Sequence, residues 1–81
     1  MNLSLHAQGQ MLERKIKVEW VEAVMRAPEF VRIDKIDKKV TLAFARIPDA
    51  GDRWLRVVYK TTESETFVIT TFLDRKAEKW R

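Results

Sequence analysis

VTLAFARI, residues 40–47, alternates large apolar residues with small ones, and so has the two-residue period of a β-strand. The two faces carry different sets of side chains: Val40, Leu42 and Phe44 on one, Thr41, Ala43 and Ala45 on the other. Such alternation is typical of a strand with one buried face. We therefore predict a half-buried strand at 40–47.

Three further segments around this strand are rich in β-branched and aromatic residues: FVRI at 30–33, RWLRVVYK at 53–60 and TFVITTF at 66–72. Short polar links join successive segments, and links of this length form hairpins rather than crossovers. The pattern predicts a four-stranded antiparallel meander.

Upstream of residue 30 the apolar period becomes helical. Ser4 can cap a first helix, and its predicted apolar stripe runs through Ala7, Met11, Leu12 and Ile16. A second helix is predicted in the next segment, KVEWVEAVMRAPEF, where Pro28 stops it. We predict an α+β fold, 1–81 as a single domain, with two N-terminal helices packed on one face of the sheet and a short C-terminal helical tail that lays Trp80 on the sheet.

Composition excludes several classes of site. The 81 residues include no cysteine, one histidine and two glycines, so no disulfide, thiolate zinc site or phosphate-binding glycine loop can form. We expect no metal and no cofactor. No apolar run approaches the ~20 residues that cross a bilayer, and the first residues lack a secretory pattern. These features predict a cytoplasmic protein with no membrane partner.

The formal net charge is +4, and the last eight residues, DRKAEKWR, carry five basic side chains against two acidic ones. This excess fits a polyanionic partner such as RNA. A solvated, fraying terminus explains it equally well.

The residues that can support chemistry are few: His6, Arg14, Arg56, Thr70 and Thr71. A metal-independent ribonuclease needs a group that moves a proton and cations that hold the phosphate. Imidazole titrates near neutral pH, and guanidinium groups bind phosphate through paired hydrogen bonds. His6 is thus the candidate acid or base, with Arg14 and Arg56 as candidate phosphate ligands.

Each candidate also has a structural explanation. His6 at a helix start can serve as a capping or hydrogen-bonded residue, and Arg14 can pair with a nearby acid on the surface. Arg56 can simply face solvent between Trp54 and Val58. The two threonines fit their strand by β-propensity alone.

Four segments together resemble a prokaryotic family, the domain-of-unknown-function family 4258. They are SLHAQGQMLERKI at 4–16, VEAVMRAPE at 21–29, LRVVYK at 55–60 and FVITTF at 67–72. The family is related in fold to RelE-type and colicin-type ribonuclease toxins. The resemblance implies helices followed by an antiparallel sheet, and an RNA-cleaving role for His6, Arg14, Arg56 and Thr70 or Thr71.

The resemblance departs at Gln8, Gly9 and Gln10, where the family pattern has x-Glu-Arg. If the missing arginine binds phosphate, this chain binds RNA poorly and is an inactive or repurposed member. The competing hypothesis is a non-catalytic interaction module or RNA-binding domain. An exposed edge, FVRI or TFVITTF, would then pair with an antitoxin-like partner or with a second copy in a homodimer.

Overall fold

Two helices and five strands follow one another along residues 1–81, all of which the computed structural model describes. In chain order the elements are β1 Asn2–Leu3, α1 Leu5–Arg14, α2 Val18–Arg26, β2 Phe30–Ile33, β3 Val40–Ile47, β4 Arg53–Thr61 and β5 Thr66–Leu73. Single-turn 3₁₀ helices follow β3 at Pro48–Ala50 and close the chain at Ala77–Trp80. The predicted α+β class is confirmed.

The sheet has the strand order β1-β5-β4-β3-β2. Strands β2 to β5 form the predicted antiparallel meander, but the prediction of four antiparallel strands is wrong. β1 adds a fifth strand, parallel to β5, with Asn2 opposite Phe67 and Leu3 opposite Val68. Two residues are too short to show a strand period, so the pairing rests on tertiary context.

A bulge in β5 changes which residues share a face. Val58 pairs with Thr70 and Tyr59 pairs with Val68, so Ile69 has no partner in β4. An extra residue of this kind reverses the alternation of side chains beyond it. Val68 and Thr71 consequently lie on one face of the sheet although they are three residues apart.

Local signals define the helix ends, and two of them, the cap at Ser4 and the stop at Pro28, are as predicted. The Ser4 hydroxyl accepts a hydrogen bond from the Ala7 backbone N–H at 3.0 Å and donates one to the Ile69 carbonyl at 2.7 Å. It thereby caps α1 and ties the helix to β5. At the other end Lys15 adopts a left-handed conformation, with φ 57°, and turns the chain toward α2. Helix α2 ends before Pro28.

Both faces of β3 are covered, so the expectation of a half-buried strand is wrong. The helices pack on the face that carries Ala43 and Ala45, because small side chains let a helix approach the sheet closely. The opposite face, with Leu42 and Phe44, is covered by the C-terminal tail. The predicted docking of Trp80 is confirmed, since its ring centroid lies 6.0 Å from that of Phe44.

Candidate functional site

A cavity of about 450 Å³ opens at the end of the sheet where β4 begins and β5 ends. Its lining residues come from the last turn of α1, the start of β4, the last residue of β5 and the segment that follows it: Arg14, Arg53, Trp54, Leu73, Asp74 and Arg75. We call this feature the arginine cavity. Three of its six lining residues are arginines, so the cavity concentrates positive charge in a concave space.

The strand register accounts for the meeting of these arginines. Leu55 lies opposite Leu73 in the antiparallel pair of β4 and β5. Arg53, two residues before Leu55, and Arg75, two residues after Leu73, therefore lie at the same end of the two strands. Helix α1 packs on β5, and its cap residue Ser4 donates hydrogen bonds to the Val68 and Ile69 carbonyls. Its last residue, Arg14, therefore reaches the end of β5.

The three cavity arginines form no ion pair with a protein carboxylate. Arg53 donates through Nε to the Ala50 carbonyl at 2.8 Å, which leaves its terminal nitrogens available. Three further arginines are paired elsewhere, and one of these pairs, Arg46 with Glu29, joins Nη2 and Oε1 at 2.8 Å. The Arg46 hydrogen bonds lower the pKa of Glu29. Arg26 and Arg32 also lack an ion pair, so what distinguishes the cavity is that three unpaired guanidinium groups line one concave space.

Asp74 is the one acid in the cavity wall, and its charge is already balanced. Its Oδ2 accepts from Arg56 Nη2 at 2.5 Å and Nε at 3.0 Å, and its Oδ1 accepts from the Lys76 backbone N–H at 2.8 Å. The cavity therefore has three positive charges without a counterion. Guanidinium groups in this arrangement suit an oxyanion such as phosphate, which they bind through paired hydrogen bonds.

Arg56, a predicted phosphate ligand, lies behind the cavity wall. Its guanidinium carbon is 5.3 Å from the ring centroid of Phe44, 4.8 Å from that of Phe72 and 4.7 Å from that of Trp80. Its side chain is only 16% exposed. The Arg56 side chain does not line the cavity; it contacts the cavity wall through its ion pair with Asp74.

The two predicted threonines lie on opposite faces of the sheet, because successive residues of a strand alternate between its faces. Thr71 pairs with Val57 on the helix side, is fully buried, and donates from Oγ1 to the Arg56 carbonyl at 2.8 Å. Thr70 pairs with Val58 on the tail side. Neither threonine lines the cavity.

His6 is exposed on the first turn of α1. Its Nε2 lies 3.5 Å from Gln10 Nε2, while Gln10 Oε1 is buried without a hydrogen-bond partner. His6 and Arg14 are eight residues apart in the same helix, a separation of about 12 Å along the axis. Of the five predicted residues, the structure brings only Arg14 into the cavity.

Arg53 and Arg75, which complete the cavity, were not among the sequence candidates. A usable signal was present, because pairing the third and fourth predicted strands as a hairpin places residues near 53 opposite residues near 75. The bulge near Val58 shifts the pairing of residues between the two strands by one position. An approximate alignment of the two strand ends would still have put both arginines together.

Two other kinds of site are absent from the chain. No group of three histidine, aspartate or glutamate side chains comes together where it could hold a metal ion. Neither helix has the length and apolar composition that crossing a membrane requires.

Residues 3–73 match the family described as Domain of unknown function (DUF4258). The chain belongs to this family. The match takes in both helices and all of the sheet except the first residue of β1, so the family fold includes Arg14 and Arg53. No curated protein and no solved structure gives a significant match to this DUF4258 chain.

Proposed function

We propose that the protein binds RNA and holds a backbone phosphate in the arginine cavity. The observation that carries the proposal is the meeting of Arg14, Arg53 and Arg75 in one cavity with no carboxylate left to neutralise them. Placing an anion among three guanidinium groups relieves their mutual repulsion and satisfies their donors.

The surrounding charge favours a polyanion over a single small anion. Lys15 and Lys17 follow Arg14 along the chain, and Lys76 and Lys79 follow Arg75, so positive charge extends from the cavity in two directions. A nucleic acid backbone repeats its phosphates at short intervals and can meet both extensions. The family resemblance implies a fold related to ribonuclease toxins, and this expectation supports RNA as the polyanion.

The test compares two variants with equal total charge. Replacing Arg14, Arg53 and Arg75 by glutamine is expected to weaken binding of a labelled 12-nucleotide single-stranded RNA about 100-fold at low salt, because several charge-assisted contacts are lost. The control replaces Lys35, Lys38 and Lys39 by glutamine as well. These lysines lie in the β2–β3 turn, at the opposite end of the sheet. We expect it to change affinity less than about threefold.

Fluorescence anisotropy across a salt series measures both the affinity and its salt dependence. Each lost phosphate contact reduces the slope of log affinity against log salt by about 0.7 for a single strand. Equal weakening by both variants would mean that RNA responds to net charge alone and would contradict a site at the cavity. A DNA strand of the same sequence, bound as tightly as the RNA, would widen the ligand class to single-stranded nucleic acid.

Metal-independent RNA cleavage is the second candidate function, and the placement of His6 favours it. The imidazole is exposed, and His6, Gln10 and Arg14 follow one another at four-residue intervals on α1. Residues at this spacing lie along one side of a helix, so a strand leaving the cavity along α1 passes His6. Gln10 would then stand beside the reacting phosphate.

For this candidate we expect cleavage of a mixed-sequence RNA in the presence of EDTA, with loss of at least about 100-fold in His6→Ala, the loss typical of a missing acid–base group. His6 is solvent-exposed, so the variant should keep the circular dichroism and melting temperature of the parent. Cleavage retained in a folded His6→Ala protein would exclude the histidine. RNA binding without cleavage would leave the binding function alone.

A further inference from the structure

A second concave surface lies beside α1 and shares no lining residue with the arginine cavity. It has a volume of about 510 Å³, and its floor and wall are formed by Leu3, Met11, Leu12 and Ile16. We call it the α1 groove. Its apolar lining lacks the guanidinium donors that a phosphate backbone would need, so the groove suits a different kind of ligand.

The helix next to the groove exposes apolar side chains that the fold does not use. Leu5 and Leu12 are each 85% exposed. They are seven residues apart, two helical turns, and therefore project from the same side of α1. Exposed leucines that continue an apolar groove are typical of a protein interaction surface.

Gly9 lies between the two leucines on this side of the helix. A Cβ atom added to Gly9 would meet nothing within 4 Å, so no contact inside the protein requires a glycine there. Glycine in a helix interior is nevertheless unfavourable relative to alanine. Because Gly9 has no side chain, the helix surface has a depression between Leu5 and Leu12. An apolar side chain of a partner can fit into it.

The charge around the groove indicates what kind of partner fits. Lys15 and Lys17 line its rim, and no carboxylate lines it. The whole chain is also positive, at +4. These charges attract an acidic segment, and they disfavour a second copy of the chain, whose own Lys15 and Lys17 would approach them.

We propose that the α1 groove binds an acidic amphipathic helix of another protein. The apolar face of that helix packs on Leu5, Leu12 and the depression at Gly9, and its carboxylates pair with Lys15 and Lys17. The apolar contacts of this partner lie outside the arginine cavity, whereas an RNA that extends from the cavity along Lys15 and Lys17 competes with the partner for those two lysines.

The test uses two capped synthetic 16-residue helical peptides that carry leucine at the same positions. One has glutamate at the remaining exposed positions, and the other has lysine there. The acidic peptide is expected to bind the full chain at least tenfold more tightly than the basic one. The double substitution Lys15→Glu with Lys17→Glu should reverse that preference.

Substitution of the groove leucine tests the apolar contact. Leu12→Ser is expected to weaken binding of the acidic peptide about tenfold, because the variant loses the apolar surface that Leu12 buries when the peptide binds. Ile36→Ser is the matched control, since Ile36 is 95% exposed in the β2–β3 turn, and it should leave binding unchanged. Both side chains are solvent-exposed, so both variants should remain folded, which melting curves verify.

Three results would overturn the proposal. The first is equal binding of both peptides, and the second is acidic-peptide binding that Leu12→Ser leaves intact. The third is a dimer in sedimentation velocity that Leu12→Ser dissociates, which would identify a second copy as the occupant. RNA binding measured in parallel distinguishes a failure here from a failure at the arginine cavity, because Leu12→Ser removes no cavity residue.

Discussion

Replacing Asp74 with alanine is expected to reduce the free energy of unfolding by about 3 kcal/mol, because it leaves a buried guanidinium without its counterion. Asp74 is 8% exposed at its side chain and Arg56 is 16% exposed. Three aromatic rings surround that guanidinium and keep water from replacing the carboxylate. A chain of 81 residues has a total stability of about 4–12 kcal/mol, so the loss is a large fraction of it.

Urea denaturation followed by tryptophan fluorescence measures this loss. Glu63→Ala is the control, since it removes one exposed carboxylate from the β4–β5 turn, and it should change stability by less than about 0.5 kcal/mol. Adding Arg56→Met to Asp74→Ala should recover part of the loss, because an apolar side chain of similar length suits the aromatic surroundings. A loss below about 1 kcal/mol in the single variant would contradict a closed ion pair.

The parts of the fold that the sequence predicts are those set by local patterns. Both helices, the cap at Ser4, the stop before Pro28 and the four longer strands each carry their own periodicity or terminator. β1 carries none, since two residues cannot show a period. The bulge at Ile69 is equally invisible, because it is a property of the pairing between strands.

The same distinction explains the outcome for the site. Arg14 could be found because it lies two helical turns beyond His6 in the first predicted helix. The environment of Arg56 could not be found, because it depends on Asp74 and Trp80 returning to β4 from a segment with no strong pattern. Arg53 and Arg75 required a register between strands rather than a motif. Local chemistry identified candidate residue types, while long-range pairing decided which of them meet.

Substitution of Phe44 tests whether the sheet face away from the helices is a true second core. A large loss in the free energy of unfolding is expected here as well. Its side chain is fully buried, and its ring stacks on Phe30 with centroids 4.5 Å apart. Trp80 covers it from the tail. Phe44→Ala is therefore expected to cost about 3–5 kcal/mol, from lost apolar burial and the cavity left behind.

Phe67→Ala provides the comparison, because Phe67 is 38% exposed in the same sheet. We expect that variant to lose less than about 1.5 kcal/mol in the same urea titration. Similar losses for the two phenylalanines would mean that the tail leaves the second face open in solution. Arg56 would then be accessible to a phosphate after all. A much larger loss at Phe44 would instead support a closed face and leave the cavity arginines as the guanidinium groups open to RNA at that end of the sheet.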